Sequence, residues 1–315
     1  MEKWIDEAFA RACEKLERGA KRAAEQGIIP YMGQKDGYTP APFDGNSWWT
    51  GGFWPGMMWQ LYAATGKDVY KDEALRVEKL LTAELRSFML LNHDVGFMYL
   101  LSTGAHDRLL GDAQAHADTL HAATLLAGRF NPAGFIRAWP GEERAGYAII
   151  DCMMNLPLLY WAYEESKNPS FLHIAMKHAD TAAKVFIRPD GSSRHIVEFD
   201  PVTGDCNGSY GGQGMSYGSS WTRGQGWALY GFTLSYMHTK KERYLETAER
   251  VADYFISCIS ESGLIPVDFY QSRQSTTSIG VTHRMGVGEC LFVTYWLLMY
   301  SCISCKLFSF AIVVK

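Results

Sequence analysis

The chain has 315 residues, 47% hydrophobic and 20% charged, a folded composition with length for one or two domains. A formal net charge of -4 gives no support for nucleic-acid binding. Seven cysteines without framework spacing, and an opening stretch that lacks the apolar core of a secretory signal, lead us to expect reduced thiols in a cytoplasmic protein.

Residues 1–27 read as a helix, with Trp4, Ala8, Ala12 and Leu16 at roughly helical spacing and Gly27 as its stop. Residues 28–50, rich in Gly and Pro, read as a loop. Met57 to Thr65 is apolar nearly all round and is halted by Gly66, and Tyr70 to Arg86 follows with one polar face. The same order of apolar then amphipathic helix recurs at 156–165 with 171–180, and at 224–238 with 244–253. Residues 112–130 supply another amphipathic helix. Helical hairpins repeating every 50–70 residues or so imply inner and outer layers. We therefore expect an all-α fold, an α/α toroid of helical hairpins, with an open α-solenoid as the second choice. Strand signals are few: His195 to Phe199 alternates and is followed by the turn Asp200-Pro-Val-Thr-Gly204, which suggests a small hairpin.

Chemistry concentrates between these helices. Asp151 stands between Ile149-Ile150 and Cys152-Met153-Met154. An acid held among apolar groups loses hydration, which disfavours its charged form and suits a proton donor. The competing reading is an Asp that caps the helix leading to Pro157. Asp94, in Asn92-His-Asp-Val-Gly96, could complete a pair of carboxylates of the kind carbohydrate chemistry uses, or simply shape a turn. Trp49, Trp139 and Trp221 are candidate platforms for the apolar face of a sugar, whereas Trp59 and Trp161 read as core. Gln213 and Arg223 flank a Gly/Ser-rich segment whose glycines let backbone approach a ligand. Arg223 can grip a carboxylate with two parallel hydrogen bonds, so an anionic sugar suits the site. His93 and His195 are also placed to contact a substrate. The pairs His116/His121 and His173/His178 are five apart and do not share a helical face, so no metal set is expected, and no nucleotide loop calls for a cofactor.

Several ordered motifs together resemble the unsaturated glucuronyl hydrolases, glycoside hydrolase family 88. They are Trp49-Thr-Gly-Gly-Phe-Trp-Pro-Gly56, Asn92-His-Asp-Val-Gly-Phe97, Gly146-Tyr-Ala-Ile-Ile-Asp-Cys-Met-Met-Asn-Leu-Pro157, Arg194-His195, and Gln213 through Trp221-Thr-Arg-Gly-Gln-Gly-Trp227. The resemblance covers about residues 1–270 and implies a six-hairpin barrel. It implies action on oligosaccharides left by polysaccharide lyases, whose non-reducing end is a Δ4,5-unsaturated uronic acid. Asp151 would be the acid/base and Asp94 its essential partner. His195, Gln213, Arg223 and the tryptophans at 49, 139 and 221 would shape the sugar subsite. Asp151 would protonate C4 of the vinyl ether and then draw a proton from water attacking C5.

The resemblance stops near Tyr270, so we expect a catalytic domain over 1–270 and a divergent apolar tail over 271–315. A frame shift or truncation, a membrane anchor, and a divergent last hairpin are all compatible with that tail, and the barrel is expected to be incomplete at its C-terminal side. Two other functions compete: a non-catalytic sugar-binding remnant, and a related toroid enzyme such as an unsaturated rhamnogalacturonyl hydrolase or an epimerase. An epimerase would present several pocket histidines rather than His93 and His195 alone.

Overall fold

The first helix, α1 (Lys3–Gln26), ends where expected, on Gly27 at a φ of 67°. The computed structural model describes residues 3–41, 45–260 and 265–270, so the tail beyond Tyr270 lies outside the described residues. The chain divides into two compact units, Met1–Ala145 with Asn155–Met176, and Gly146–Met154 with Lys177–Lys315.

In the first unit the stretch read as a loop contains a short antiparallel pair, β1 (Met32–Gln34) and β2 (Gly37–Thr39). Three-residue strands are too short for alternation to show in sequence. What fixes them is remote: the Gln26 side chain donates to the Tyr38 carbonyl at 3.2 Å and accepts the Tyr38 N–H at 3.1 Å. Two 3-10 turns, Gly45–Ser47 and Trp49–Gly52, lead into α2 (Phe53–Thr65), which Gly66 ends in the left-handed conformation. The partner of α2 is α3 (Asp68–Ser87), whose buried residues include Tyr70, Ala74, Val77, Leu81 and Leu85, one face at helical spacing. Two tryptophans of the apolar helix bond carboxylates of its partner. The Trp54 indole donates to Glu73 at 2.8 Å and the Trp59 indole to Glu78 at 2.6 Å, each reaching 19 residues along the chain. Glu78 also meets His106 Nδ1 at 2.9 Å, so both of its oxygens are used although the residue is buried.

Two short helices, α4 (Val95–Tyr99) and α5 (Thr103–Leu110), occupy a stretch for which periodicity gave no helix. After them come α6 (Ala113–Ala127), capped by the Asp112 side chain, and the two-residue strands β3 (Phe130–Asn131) and β4 (Phe135–Ile136). Gly96 is not the turn glycine its motif suggests: a Cβ there would lie 2.5 Å from the Asn155 Cα, so it permits close backbone approach. Trp59 is buried as expected, whereas Trp161 is only half-buried and meets His116 edge-on.

The second unit opens with β5 (Tyr147–Ile149) and the first residues of α7 (Cys152–Ser166). It continues from the latter half of α8 (Pro169–Val185) through β6 (Ile196–Phe199), β7 (Cys206–Tyr210), α9 (Thr222–Thr239) and α10 (Glu242–Ser257). The expected hairpin is thus a three-stranded antiparallel sheet in the order β5-β6-β7. The apolar-then-amphipathic order recurs: α9 is buried nearly all round its first half, while α10 buries Tyr244, Thr247, Ala248, Val251 and Tyr254. Gly231 of α9 lies against the backbone at Met153, where a Cβ would come within 2.4 Å of the Met153 side chain. Among the described residues no helix is long and apolar enough to cross a membrane.

Candidate active site

Strand register sets the first half of the site. Ile149 pairs with Ile196, and the Ile150 N–H donates to the His195 carbonyl at 3.0 Å. Ile150 thus stands opposite His195, and Asp151 follows it at the start of α7, with His195 Nε2 lying 3.6 Å from Asp151 Oδ2. The apolar neighbours of Asp151 in sequence turn into the core, with Ile150, Cys152 and Met153 all fully buried. The Asp151 side chain instead remains 15% exposed, so a substrate can reach it.

His195 is buried, and burial pulls its pKa below the ordinary value, outweighing the opposing charge of Asp151. It is therefore a neutral imidazole at neutral pH. The Gln213 backbone N–H donates to its Nδ1 at 3.0 Å, while the Gly211 carbonyl stands 3.2 Å from the same atom. The shorter contact, from a donor, fits a ring that carries its proton on Nε2, toward Asp151. Gly212 makes this possible. Its φ is 59°, and a Cβ there would lie 2.2 Å from Nδ1.

Gln213 also reaches the arginine. Arg223, in the first turn of α9, donates to Gln213 Oε1 at 2.6 Å. Its guanidinium lies 4.4 Å from the centre of the Trp221 ring, and Trp221 in turn is 4.3 Å from the His195 ring. This changes the expected part of Trp221. At 5% exposure it offers little open face to a sugar, and it acts as a plate behind Arg223 and His195.

The first unit carries the second group. The Asp94 N–H donates to the Asn92 side chain at 2.7 Å, which turns the chain into α4. Asp94 occupies the position before that helix, yet its side chain makes no capping bond. The turn is thus made by Asn92, and the Asp94 carboxylate, 15% exposed, faces His93 Nε2 at 3.2 Å. His93 itself is fully buried, which leaves it no surface for the sugar contact expected of it; it stands behind Asp94. Its N–H donates to the Ala138 carbonyl at 3.4 Å, which brings the half-buried Trp139 to the same neighbourhood. Trp139 carries the Arg144 guanidinium 5.9 Å from its ring centre. Trp49 is half-buried and packs its ring 5.3 Å from Phe97 of α4.

The structure therefore gathers Trp49, His93, Asp94 and Trp139 in one unit, and Asp151, His195, Gln213, Trp221 and Arg223 in the other. Sequence reasoning missed two residues beneath the second group. Gln225 is fully buried and saturates its amide: Oε1 accepts from the Ser193 N–H at 2.8 Å and the Ser220 hydroxyl at 3.1 Å, and Nε2 donates to the carbonyls of Gly191 and Val251. Asp268 is fully buried as well. Gln225 stood inside a quoted motif, but a polar residue in an apolar helix was the only signal for it.

Comparison with known proteins bears on these groups. The family model for Glycosyl Hydrolase Family 88 matches residues 30–265. An unsaturated glucuronyl hydrolase of Bacillus sp. (strain GL1) is 38% identical over 239 residues, 74% of this chain and 63% of that protein's length. An unsaturated chondroitin disaccharide hydrolase of Streptococcus pneumoniae is 37% identical over 82% of this chain and 69% of its own. The crystal structure of the Bacillus sp. GL1 unsaturated glucuronyl hydrolase, described as responsible for the degradation of glycosaminoglycan, superposes with a TM-score of 0.76 at 31% identity, covering 90% of this chain and 82% of that one. The likeness gives the fold class expected from the sequence, the all-α class of helical-hairpin toroids.

Proposed function

This chain belongs to Glycosyl Hydrolase Family 88, and on that premise we propose that it releases a Δ4,5-unsaturated uronic acid from the non-reducing end of lyase-generated, glycosaminoglycan-derived oligosaccharides. The chain spans 63% of the length of the Bacillus relative. The observation that carries it is the string Asp151–His195–Gln213–Arg223, in which one reachable carboxylate adjoins a neutral imidazole and a guanidinium stands near by.

In this reading Asp151, protonated, gives its proton to C4 of the enol ether. Positive charge develops at C5 and the ring oxygen. Asp151, now a carboxylate, takes a proton from the water that bonds to C5. Water has then added across the double bond, and the resulting hemiketal opens to free the remaining sugar. No bond at the anomeric carbon is displaced, so one acid alternating between its two states suffices. Neutral His195 keeps Nε2–H toward Asp151 and favours its carboxylate form after the first transfer. Arg223, with Gln213, is the clamp for the uronate. Asp94 supports the developing cation, as the resemblance implies. Trp49 and Trp139 supply apolar surface for sugar rings.

Hydrolase relatives support turnover over a binding remnant. Among the described residues Cys13, Cys152, Cys206 and Cys258 are free thiols. The test is to incubate the full chain with lyase-digested chondroitin or hyaluronan and follow the ultraviolet absorbance of the conjugated alkene. Steady loss is the expected result. A flat trace with the oligosaccharide still bound would replace hydrolysis by binding alone.

A further inference from the structure

The segment from Gly211 to Gly218 is held internally by short turns, the Gly214 N–H on the Gly211 carbonyl at 2.9 Å and the Ser219 N–H on the Ser216 carbonyl at 3.2 Å, which shape it without fixing it to the rest of the protein. Gly211, Gly212, Gly214 and Gly218 give it wide conformational freedom, and Met215 and Tyr217 are 56% and 73% exposed. Yet Gln213, at its tip, must place its N–H on His195 and its side-chain oxygen on Arg223 at once.

The restraint comes from a residue 53 positions further on. The Asp268 carboxylate is fully buried, and its Oδ2 accepts the Met215 N–H at 3.0 Å. Its Oδ1 accepts the Tyr270 N–H at 2.9 Å, so the two oxygens serve different segments. The backbone on either side of Asp268 is anchored independently. The Thr222 N–H donates to the Val267 carbonyl and the Phe269 N–H to the Ser220 carbonyl, both at 3.0 Å, and Asp268 bridges Trp221. The Phe269 ring is fully buried against Tyr254 and Phe255. Asp268 is thus a fixed distance gauge between Trp221 and the glycine-rich loop. Gly214 confirms how closely the loop is drawn in, since a Cβ there would lie 2.8 Å from Asp268 Oδ2.

We propose that Asp268 is a positioning residue, whose carboxylate holds the Gly211–Ser216 loop by the Met215 N–H so that Gln213 bonds His195 and Arg223 together. The proposal rests on the hydrolase reading for its kinetic consequence only. The bland part for Asp268 would be to shape the local turn at Tyr270. That part uses Oδ1 alone and leaves the bond to Met215 without purpose.

Asp268→Asn separates the two. An asparagine has one acceptor oxygen where the carboxylate has two, so one of the Met215 and Tyr270 N–H groups meets an amide donor instead, and the backbone amide shifts of Met215 and Tyr270 show which is released. The expected result is a KM for the unsaturated disaccharide raised about tenfold, with kcat changed far less, because a charged hydrogen bond that sets the uronate clamp is lost. The imidazole 15N resonances of His195 move at the same time, since Nδ1 loses the Gln213 N–H. Gly214→Ala disturbs the same contact from the loop, its Cβ meeting the Ser219 hydroxyl and Asp268 Oδ2 together, and decides the matter if Asp268→Asn does not fold. Wild-type KM, kcat and His195 resonances in Gly214→Ala, together with an Asp268→Asn variant that is either wild-type in all three or merely less stable, would overturn the proposal. If the parent protein shows no turnover, the hydrolase reading fails and the His195 resonances of the two variants still decide the positioning claim.

Discussion

Asp94 and Asp151 are held by opposite means. Around Asp94 the groups next to the carboxylate are close in sequence: Asn92 makes the turn, His93 stands behind the carboxylate, and α4 begins at Val95, with one distant bond, from the Phe97 N–H to Asn155, fixing that helix. Around Asp151 they come from far along the chain: His195 by sheet register, Gln213 through His195, Arg223 through Gln213, and the loop through Asp268. A locally supported acid depends on the stability of its own segment. One supported by distant residues depends on register and loop position, and these can be disturbed with little cost to folding.

The sharpest break is Asp151→Asn. It keeps shape and removes the transferable proton, so turnover should fall by about a thousandfold or more, within the range of general acid–base effects, while circular dichroism and Tm stay as in the parent. A variant with near-normal rates would end the assignment of Asp151 as the acid. Gly212→Ala comes next. Its Cβ meets His195 Nδ1 and its φ is left-handed, so kcat/KM should fall about tenfold with a stability loss of about 1–2 kcal/mol, read by alkene bleaching and thermal melts. Equal rates in mutant and parent would show that the His195–Gln213 contact does not matter to the site.

The smallest effect sharpens the other side of the comparison, the first unit. Burial pulls the pKa of His106 down, but its hydrogen bond to Glu78 and the charge of that carboxylate outweigh this and raise it overall. A raised folded-state value means the ion pair contributes fully below about pH 6.5 and fades as pH climbs through the raised value. The parent should therefore lose a few degrees of Tm between mildly acidic and mildly alkaline buffer. His106→Asn should show a flatter profile, with activity largely kept. Identical profiles would remove the ion pair from the account of stability.

The sequence made legible whatever repeats locally. Gly27 and Gly66 end helices as read, and the alternation of apolar and amphipathic helices is present in α2 with α3 and in α9 with α10. The motif residues also fall where side chains gather, with His195 beside Asp151 and Arg223 beside Gln213. What escaped depends on long separations. The β1–β2 pair needs Gln26, α4 needs the Asn155 oxygen that receives the Phe97 N–H at 2.8 Å, and the Gln213 loop needs Asp268. No periodicity records such partners. The expected burial of Asp151 holds only in part, with Oδ2 buried beside His195 while the side chain stays 15% exposed, because its apolar neighbours follow strand and helix directions that its own side chain does not share.

The paired indole bonds of α2 and α3 carry a consequence for how this protein would come apart. Trp54 with Glu73 and Trp59 with Glu78 form two rungs, each spanning 19 residues and thus set by one register. A slip of a single residue would part both indoles from their carboxylates together and leave two buried indole N–H groups without these acceptors, while Arg76 still holds Glu73 and His106 still holds Glu78. That hairpin has no cheap intermediate between locked and lost, so under heat it should give way in one step rather than creep.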